Sequence, residues 1–488
     1  MMQSRREFIV GGGALLAAAG MGRFAFGGVA AGGTKLRVGV LSDIHVNSRD
    51  GAVEGCAGAD MLEKALRYFG GRKVDAVLIA GDMADGGIGN ELLAVGNVWR
   101  KVFPQNRRAD GGKVEKVFVY GNHDIDGWSF MGNAKKVMDT EEKRAAQAIG
   151  KGGNRSRFWR EAFDEDYAPM YVKDIKGYKF VGIQFGEFDR KGAVAAFLEA
   201  HRPELAGAKP FFYTQHYHPK GTCSAPWTWG QDSGSSTVAL KAFPNAVSFT
   251  GHSHTPLTDE RTLWRGDFTS VGTASLKYLI PFGGRENSRI FGVADPQTQQ
   301  MPFLGCGDGH HGQVMTVYAD RIVLERRDFE NDLPAGPDWV VPLPAASASF
   351  AARGESAAVP QFADGAKVSV AQIDGKNRRG EPVRQVAVTF PNVRGLDGGA
   401  RAFDYEIRVE AMEVDRKKIW MTKRVYSPHY YWAAERDSET VTCLFAVSEL
   451  PPPNGKLDPR RGTVYRFAVS PANSFGAHGR AIYSEPQI

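Results

Sequence analysis

The sequence predicts an α/β fold followed by an all-β sandwich. Between residues 35 and 280, six short apolar runs rich in β-branched residues alternate with stretches of helical character. From Lys367 onward, apolar and polar residues alternate in short runs that turn residues separate. The first pattern is typical of strands packed in sheets that helices cover, and the second of a sandwich.

Each apolar run of the first region ends in polar residues. The runs are KLRVGVLSDIHV, AVLIAGDMADGG, KVFVYGNHDIDG, FVGIQFGEFD, KPFFYTQHYHP and NAVSFTGHSHTP. Segments such as ADMLEKALRYFGG and GAVAAFLEAHRP are predicted to form helices between them. Ligands of open α/β sheets gather at the carboxyl ends of the strands, so we expect a site where these polar residues meet.

The composition changes after residue 330. Residues 331–365 are rich in Pro, Ala and Ser and are predicted to form a linker with room for one edge strand. Residues 366–488 are predicted to form an immunoglobulin-like β-sandwich. The closing stretch YRFAVSPANSFGAHGRAIYSEP resembles a fibronectin type III domain, with a tyrosine-led strand, an Asn-x-x-Gly turn and a final Ser-x-Pro.

Residues 1–31 have the pattern of a secretory signal: a basic start, an apolar Gly- and Ala-rich run and a small-residue ending. Arg5 and Arg6 in SRREFI resemble a twin-arginine export signal, with cleavage near Ala31. The alternatives are an ordinary basic leader or an uncleaved anchor. We expect a periplasmic or secreted protein with no transmembrane helix after signal removal, because no other apolar run reaches about 18 residues.

Composition narrows the function classes. The chain of 488 residues has a net charge of +6 without an Arg- or Lys-rich stripe, so no nucleic-acid partner is expected. The 4 cysteines form no C-x-x-C pair, which argues against a cysteine zinc site. Disulfides are permitted outside the cytoplasm, and all three full pairings stay open.

The polar residues at the strand ends form a candidate metal-binding set. They comprise Asp43, His45, Asp82, Asp85, Asn122, His123, His216, His252 and His254. Carboxylate and imidazole ligands together favour Mn, Fe or Zn over Ca. Seven or more such ligands exceed the need of one tetrahedral metal and suit two divalent or mixed-valence metal ions about 3.5–4 Å apart.

Together these motifs resemble the calcineurin-like metallophosphoesterase family over roughly residues 35–280. The family pattern is D-x-H, G-D-x-x-D, G-N-H-D/E, a single His and G-H-x-H. The resemblance implies a four-layer α/β/β/α metallophosphoesterase sandwich as the catalytic domain, with predicted bounds 35–330. It assigns the first metal to Asp43, His45 and His254. It assigns the second metal to Asn122, His216 and His252, and the bridging position to Asp82.

The resemblance also assigns two catalytic roles. His123 corresponds to the family histidine that contacts the phosphate and protonates the leaving oxygen. Asp85 corresponds to the carboxylate that orients this histidine. Gly81, Gly121 and Gly251 precede ligands and are expected to permit tight turns and close backbone approach.

Three further residues are candidate substrate contacts: His218, Trp227 and Trp229. For His218, a pocket-wall or surface position is favoured over a metal role. The two tryptophans could stack on a base or sugar or could pack within their own loop, and both alternatives stay open. His310 and His311 match no family motif and are assigned to a glycine-rich surface loop.

The resemblance implies an exported phosphoesterase that hydrolyses a small phosphomonoester or phosphodiester through a metal-bound hydroxide. A nucleotidase or cyclic-nucleotide phosphodiesterase is the alternative within the enzymes. A non-catalytic surface protein that binds through its C-terminal module is the alternative from another class. The partner of that module stays unknown.

Overall fold

The computed structural model describes residues 33–188, 190–223, 231–280, 284–288, 309–344, 353–377, 380–395, 400–412, 417–428, 438–451 and 464–487. The predicted signal segment 1–31 lies outside these residues. Within the described ranges, no helix has both the length and the apolar character that a membrane crossing requires.

The first sheet carries the first three of the predicted strands. Its order is β12-β11-β10-β1-β2-β3, and β13 also pairs with β11. β1, β2 and β3 run parallel, so their carboxyl ends lie at the same edge. The strands are β1 (Leu36–Leu41), β2 (Ala76–Ala80), β3 (Glu115–Val119), β10 (His311–Val317), β11 (Arg321–Asp328), β12 (Leu333–Pro334) and β13 (Trp339–Pro342).

The second sheet carries the remaining predicted strands in the order β4-β5-β6-β7-β9-β8. β5, β6, β7 and β9 run parallel, which again collects carboxyl ends at one edge. The strands are β4 (Met170–Ile175), β5 (Tyr178–Ile183), β6 (Phe211–Thr214), β7 (Ala246–Thr250), β8 (Leu263–Arg265) and β9 (Thr269–Gly272).

The two sheets pack face to face, and helices cover their outer faces. Val38 and Leu78 of the first sheet share one buried cluster with Phe212 and Phe249 of the second. Since strands such as AVLIA in β2 are buried on both faces, they read as continuous apolar runs. The helices are α1 (Ala59–Gly71), α2 (Gly89–Val102), α3 (Asn122–Phe130), α4 (Gly132–Val137), α5 (Glu141–Gln147), α6 (Asn154–Phe163), α7 (Ala193–Ala200), α8 (Arg202–Leu205), α9 (Ser235–Leu240) and α10 (Arg353–Ser356).

These layers confirm the predicted four-layer α/β/β/α arrangement. The helices α1, α2 and α6 pack on the first sheet through residues such as Leu66, Val95 and Phe158. Helices α7 and α9 pack on the second sheet through residues such as Leu198 and Leu240.

The first sheet extends into the predicted linker. β12 and β13 lie between residues 331 and 365, and both pair antiparallel with β11. Trp339 of β13 belongs to the cluster between the two sheets. The Pro- and Ala-rich composition hid these two short edge strands, because proline is tolerated at a sheet edge.

Residues from Ser369 onward form two antiparallel sheets. One has the order β14-β15-β18 and the other β17-β16-β19-β20. Both contribute to one buried cluster that includes Val388, Phe445, Ile407 and Phe467, so they form the predicted sandwich. The strands are β14 (Ser369–Lys376), β15 (Pro382–Pro391), β16 (Asp404–Met412), β17 (Lys417–Tyr426), β18 (Thr440–Ala446), β19 (Val464–Ala472) and β20 (Ile482–Tyr483).

The sandwich packs directly on the α/β domain. The side chain of Asn287 donates to the Tyr426 carbonyl at 3.1 Å and accepts from the Tyr426 amide at 2.8 Å. Arg285 donates to the buried carboxylate of Asp404 at 2.6 and 2.9 Å. Phe403 and Tyr426 join the cluster between the two sheets of the α/β domain. The short segment 284–288 therefore ties the two parts of the chain together.

Candidate metal centre

Strand ends from both sheets bring the predicted ligands together in a strained backbone. Asp43, His45, Asp82, His252 and His254 all have positive φ, between 47° and 65°. Non-glycine residues rarely adopt this left-handed region, and each costs of order 1–3 kcal/mol unless its surroundings enforce it. Five such residues in three loops show that packing aims these side chains at one place.

All three predicted glycines are required by close approach, and a Cβ at Gly251 would collide with the Asp43 carboxylate. Gly81 has φ 93°, and a Cβ there would lie 2.5 Å from Nδ1 of His216. A Cβ at Gly121 would collide with the Asp82 carboxylate. A side chain at any of these positions would therefore displace a predicted ligand.

The first predicted ligand set meets as a cluster of hydrogen-bond acceptors. Nδ1 of His45 lies 3.0 Å from the Asp85 carboxylate, and Nδ1 of His254 lies 2.8 Å from the Tyr278 carbonyl. Since both Nδ1 atoms face acceptors, they carry the protons and both Nε2 atoms present lone pairs. These two Nε2 atoms lie 3.2 Å apart, and the Asp43 carboxylate lies 3.0 Å from Nε2 of His254.

The second set has the same character. Nδ1 of His216 donates to the Ala80 carbonyl at 2.7 Å, so Nε2 is the nitrogen that faces the centre. That Nε2 lies 3.1 Å from both the Asp82 carboxylate and the Asn122 side-chain oxygen. The ring of His252 lies with its centroid 5.0 Å from that of His216. Candidate ligand atoms of Asp82, His216 and His252 all lie within 4.8 Å of one another.

Asp82 joins the two sets. Its Oδ2 lies 3.1 Å from Nε2 of His216 and 3.8 Å from Nε2 of His45. Burial opposes ionisation, yet the neighbouring His216 and His123 hold the pKa of Asp82 well below its usual range. Burial likewise opposes protonation of His216, but Asp82 raises the pKa of that imidazole to about 9. The buried Asp82 carboxylate therefore favours a positive charge at the centre.

This donor set fits two metal ions. Lone pairs that face one another at about 3 Å repel unless a cation lies between them, and a metal ion satisfies several at once. The buried oxygen and imidazole donors match Mn, Fe or Zn, as the sequence predicts. Three groups have candidate ligand atoms within 4.8 Å of one another: Asp43, His45 and His254; His45, Asp82 and His123; and Asp82, His216 and His252.

His123 and Asp85 lie at the centre, but their contact differs from the predicted one. Nδ1 of His123 lies 2.8 Å from the backbone carbonyl of Asp85 and 3.6 Å from its carboxylate. The carboxylate instead accepts from Nδ1 of His45 and from the Asn47 side chain, at 3.0 and 2.5 Å. Asp85 therefore orients His123 through its backbone carbonyl, and it orients His45, a predicted metal ligand, through its carboxylate. The predicted carboxylate–His123 hydrogen bond is not the one formed, because the loop turns the carboxylate toward β1.

His218 lies beneath the ligand loop, away from any surface. Its ring is 1% exposed, with Nδ1 2.6 Å from the Thr250 hydroxyl and Nε2 2.7 Å from the Ser253 hydroxyl. Both ring nitrogens are thereby occupied, so this placement does not fit the predicted contact with substrate. The other two candidate contacts, Trp227 and Trp229, lie outside the described residues.

His311 does not lie in a surface loop as predicted, whereas His310 lies in the irregular segment just before β10. His311 is fully buried in β10, where its Nδ1 lies 3.2 Å from the Leu257 amide. His310 is half-buried, and its Nδ1 donates to the Leu276 carbonyl at 2.6 Å. The flanking glycines suggested a loop, but β10 begins at His311 and pairs with β1.

Two buried carboxylates brace the loops from behind and were not predicted as site residues. Asp124 accepts from the Ala84 and Gly121 amides, each at 2.7 Å. Glu91 accepts from the Ser48 and Gly86 amides at 3.0 and 2.7 Å. The GNHD motif contained a signal for Asp124, whereas Glu91 reads as an ordinary residue of helix α2.

The fold and this donor set define a metal centre built between two sheets. Residues 36–256 match the family described as calcineurin-like phosphoesterase. This segment of the chain is therefore similar to a family of metal-dependent phosphoester hydrolases. None of the curated proteins matches the sequence.

Solved structures of low sequence identity are similar to the chain. A dimetal phosphatase from Danio rerio is 13% identical, with a TM-score of 0.36, over 64% of this chain and 99% of that one. A purple acid phosphatase from yellow lupin (Lupinus luteus) seeds is 13% identical, with a TM-score of 0.39, over 62% of this chain and 53% of that one. At these identities and TM-scores, no residue role is taken from either protein.

Proposed function

We propose that the chain is a dinuclear-metal phosphoesterase that hydrolyses a small phosphomonoester or phosphodiester. The observation that supports this most directly is the pair of buried acceptor clusters that share Asp82. One cation would neutralise only one cluster. Two would meet the need of both, with Asp82 between them.

In this proposal, Asp43, His45 and His254 hold one metal ion, Asn122, His216 and His252 hold the other, and Asp82 bridges them. Two ions held there supply a Lewis acid for the phosphoryl oxygens and lower the pKa of water toward neutrality. The protein keeps the donors rigid: the Asp43 carboxylate also accepts the His252 amide at 3.0 Å, which joins two ligand loops.

His123 is proposed to handle the leaving group. Its amide donates to Asp82 at 2.8 Å, and its Nδ1 donates to the Asp85 carbonyl at 2.8 Å, so the ring is fixed at both ends. Nε2 is the nitrogen left to meet a substrate. A proton held on Nε2 can pass to the departing alcohol oxygen.

We also propose export, which the twin-arginine-like pattern of residues 1–31 supports. A folded protein could then load its metal ions before leaving the cytoplasm. Fractionation of expressing cells checks this: replacing Arg5 and Arg6 with lysines should leave the protein in the cytoplasm.

Metal analysis combined with hydrolysis assays tests the proposed function. The purified protein should hold two ions of Mn, Fe or Zn and should hydrolyse members of a panel of aryl phosphates, bis-aryl phosphates and nucleotides. Asp82→Asn should reduce kcat/KM roughly 1,000-fold, because a bridging carboxylate supports several kcal/mol of charge stabilisation. Asp139→Asn, an exposed carboxylate paired with Lys143, is the matched control.

His123→Ala separates proton transfer from metal binding. The variant should keep both ions and lose rate by about 100- to 10,000-fold, with a smaller loss for p-nitrophenyl phosphate than for an alkyl phosphate. A wild-type protein without bound metal or hydrolysis would support the non-catalytic binding alternative instead.

A further inference from the structure

A cavity of about 610 Å³ lies beside the first ligand set. Its wall comes from the start of α1, the segment after β9 and the ends of β10 and β11. The side chains that matter here are Met61, Leu276, Lys277, Tyr278, His310 and Glu330.

Tyr278 is a wall shared by the cavity and the metal centre. Its ring lies with its centroid 4.2 Å from that of His254 and 5.5 Å from that of His45. Its carbonyl accepts the Nδ1 proton of His254 at 2.8 Å. The ring of His45 also contacts the ring of His123, with 4.5 Å between the two centroids. The cavity therefore begins one ring beyond the first ligand set, on the far side of Tyr278.

The lining is apolar near the ligands and charged farther out. Leu276 is buried, and Met61 adds a flexible apolar side chain. Glu330 lies 3.4 Å from Nε2 of His310. Asp60 is exposed at the rim.

Lys277 stands out among these groups. Its side chain is half-buried and has no ion-pair partner in the part of the chain that the structure describes. Its Nζ lies near the start of α1, 3.5 Å from where a Cβ on Gly58 would be. A half-buried ammonium group beside a metal centre, without an ion-pair partner among the described residues, favours an anionic group of a ligand.

We propose that this cavity binds the alcohol half of the phosphate ester and that Lys277 selects alcohols carrying a second anionic group, a carboxylate or phosphate, on an apolar body. The inference rests on the proposed phosphoesterase function. The phosphoryl group lies at the ligands, the leaving oxygen faces His123, and the alcohol extends past His45 along Tyr278 to Lys277.

Three aryl phosphates of similar size test the charge preference: phenyl phosphate, its 4-carboxy derivative and its 4-aminomethyl derivative. Wild-type protein should favour the carboxylate ester over the aminomethyl ester. Lys277→Met should reduce kcat/KM for the carboxylate ester about tenfold relative to phenyl phosphate. Lys277→Glu should invert the preference. Comparing ratios between variants removes the intrinsic difference in leaving-group reactivity.

Lys241→Met is the matched control. Lys241 is an exposed lysine after α9, 3.7 Å from Asp267, and the ratios should stay at the wild-type values in this variant. Unchanged ratios in both Lys277 variants would overturn the proposal.

Binding of the corresponding phosphonates, measured by calorimetry, separates this inference from the proposed function. If no ester is hydrolysed but Lys277→Glu still inverts the order of phosphonate affinities, the cavity assignment is supported and the proposed hydrolytic function is refuted. If esters are hydrolysed and neither rates nor affinities respond to Lys277, the function stands and the cavity assignment falls. If neither hydrolysis nor charge-dependent binding is found, both fall.

Tyr278→Leu provides a second variant for the aromatic wall. It removes the ring but keeps the carbonyl that fixes His254. KM for all three esters should rise severalfold with metal content unchanged, and Tyr278→Phe should restore it. A wild-type KM in Tyr278→Leu would contradict the placement of the alcohol along this ring.

Discussion

The carboxylate of Asp85 accepts a 3.0 Å hydrogen bond from Nδ1 of His45. This bond holds the imidazole in the tautomer whose Nε2 faces the centre, and a second bond from Asn47 holds the carboxylate itself at 2.5 Å. Residues that orient a metal-bound histidine affect metal affinity as well as rate. Asp85 thus has a structural task that its sequence motif does not reveal.

Asp85→Asn should weaken binding of one of the two metal ions by about 10- to 100-fold. The amide can accept from only one of its two present donors, so either His45 or Asn47 faces an N–H group. Metal titration of the apoprotein, followed by calorimetry, measures the two dissociation constants.

His123→Ala is the control for that titration, because it removes the other histidine near Asp85 and leaves the hydrogen bond between His45 and Asp85 in place. It should leave both dissociation constants unchanged. If Asp85→Asn instead retains wild-type affinity for both ions and lowers only kcat, the carboxylate acts on His123, as the sequence motif predicted.

His218 should couple to the ligand loop through Ser253, which lies between His252 and His254. Replacing His218 by Ala leaves the buried Thr250 and Ser253 hydroxyls without their imidazole partner, at a cost of about 1–3 kcal/mol. We expect a lower midpoint of thermal unfolding and weaker metal binding. A merely structural role would lower the midpoint and leave metal affinity intact.

A double-mutant cycle sharpens this prediction. Ser253→Ala in the His218→Ala background should cost less than Ser253→Ala in the wild-type protein, since the hydroxyl no longer has its partner. Strictly additive effects on metal affinity would show that the two residues act independently.

The sequence was sufficient to predict which strand ends meet, because each motif closes an apolar strand and parallel strands share an edge. It could not predict the left-handed backbone of Asp43 or His254, since nothing in their local sequence favours positive φ. The partner of Asp85 depends on how one loop turns relative to β1. The direction of this loop is set by the packing of the loops against one another, and no spacing of residues in the sequence indicates it.

Residues between the motifs were missed for a similar reason. Glu91 lies in helix α2, whose sequence has an ordinary helical pattern. Its role is visible only in the folded structure, where amides of two loops donate to its carboxylate. Tyr278 and Lys277 follow the last motif, in a segment without periodicity. The sandwich was predictable from strand alternation, whereas its docking through Arg285 and Asn287 was not.

Glu91 should make stability depend on pH. Burial raises the pKa of this carboxyl from an ordinary value of 4.5 to about 8. Between these values the unfolded chain releases the proton and the folded protein keeps it, so the folded state loses stability as pH rises. Glu91→Gln removes this dependence but loses one amide hydrogen bond. The variant should therefore unfold below the wild type at pH 4.5, with the gap closing or reversing by pH 8.

Thermal unfolding midpoints at pH 5, 6.5 and 8, measured with chelator present, check this. Glu142→Gln, an exposed carboxyl on α5, is the control and should track the wild type throughout. A difference between Glu91→Gln and wild type that does not vary with pH would show that Glu91 is ionised in the folded protein.

Asn287 should transmit the position of the sandwich to the candidate cavity. It makes two hydrogen bonds to the backbone of Tyr426, and it lies ten residues after Lys277. Asn287→Ala removes both bonds, at a cost of about 1–3 kcal/mol, and should loosen the segment that leads back to Tyr278. In the full chain we expect a lower unfolding midpoint and a KM raised severalfold.

Asn377→Ala is the matched control: the Asn377 side chain bonds to Glu381 within the β14–β15 hairpin, so this variant should destabilise the sandwich and leave KM unchanged. Equal KM values in both variants would show that the docked sandwich stabilises the chain without positioning the cavity.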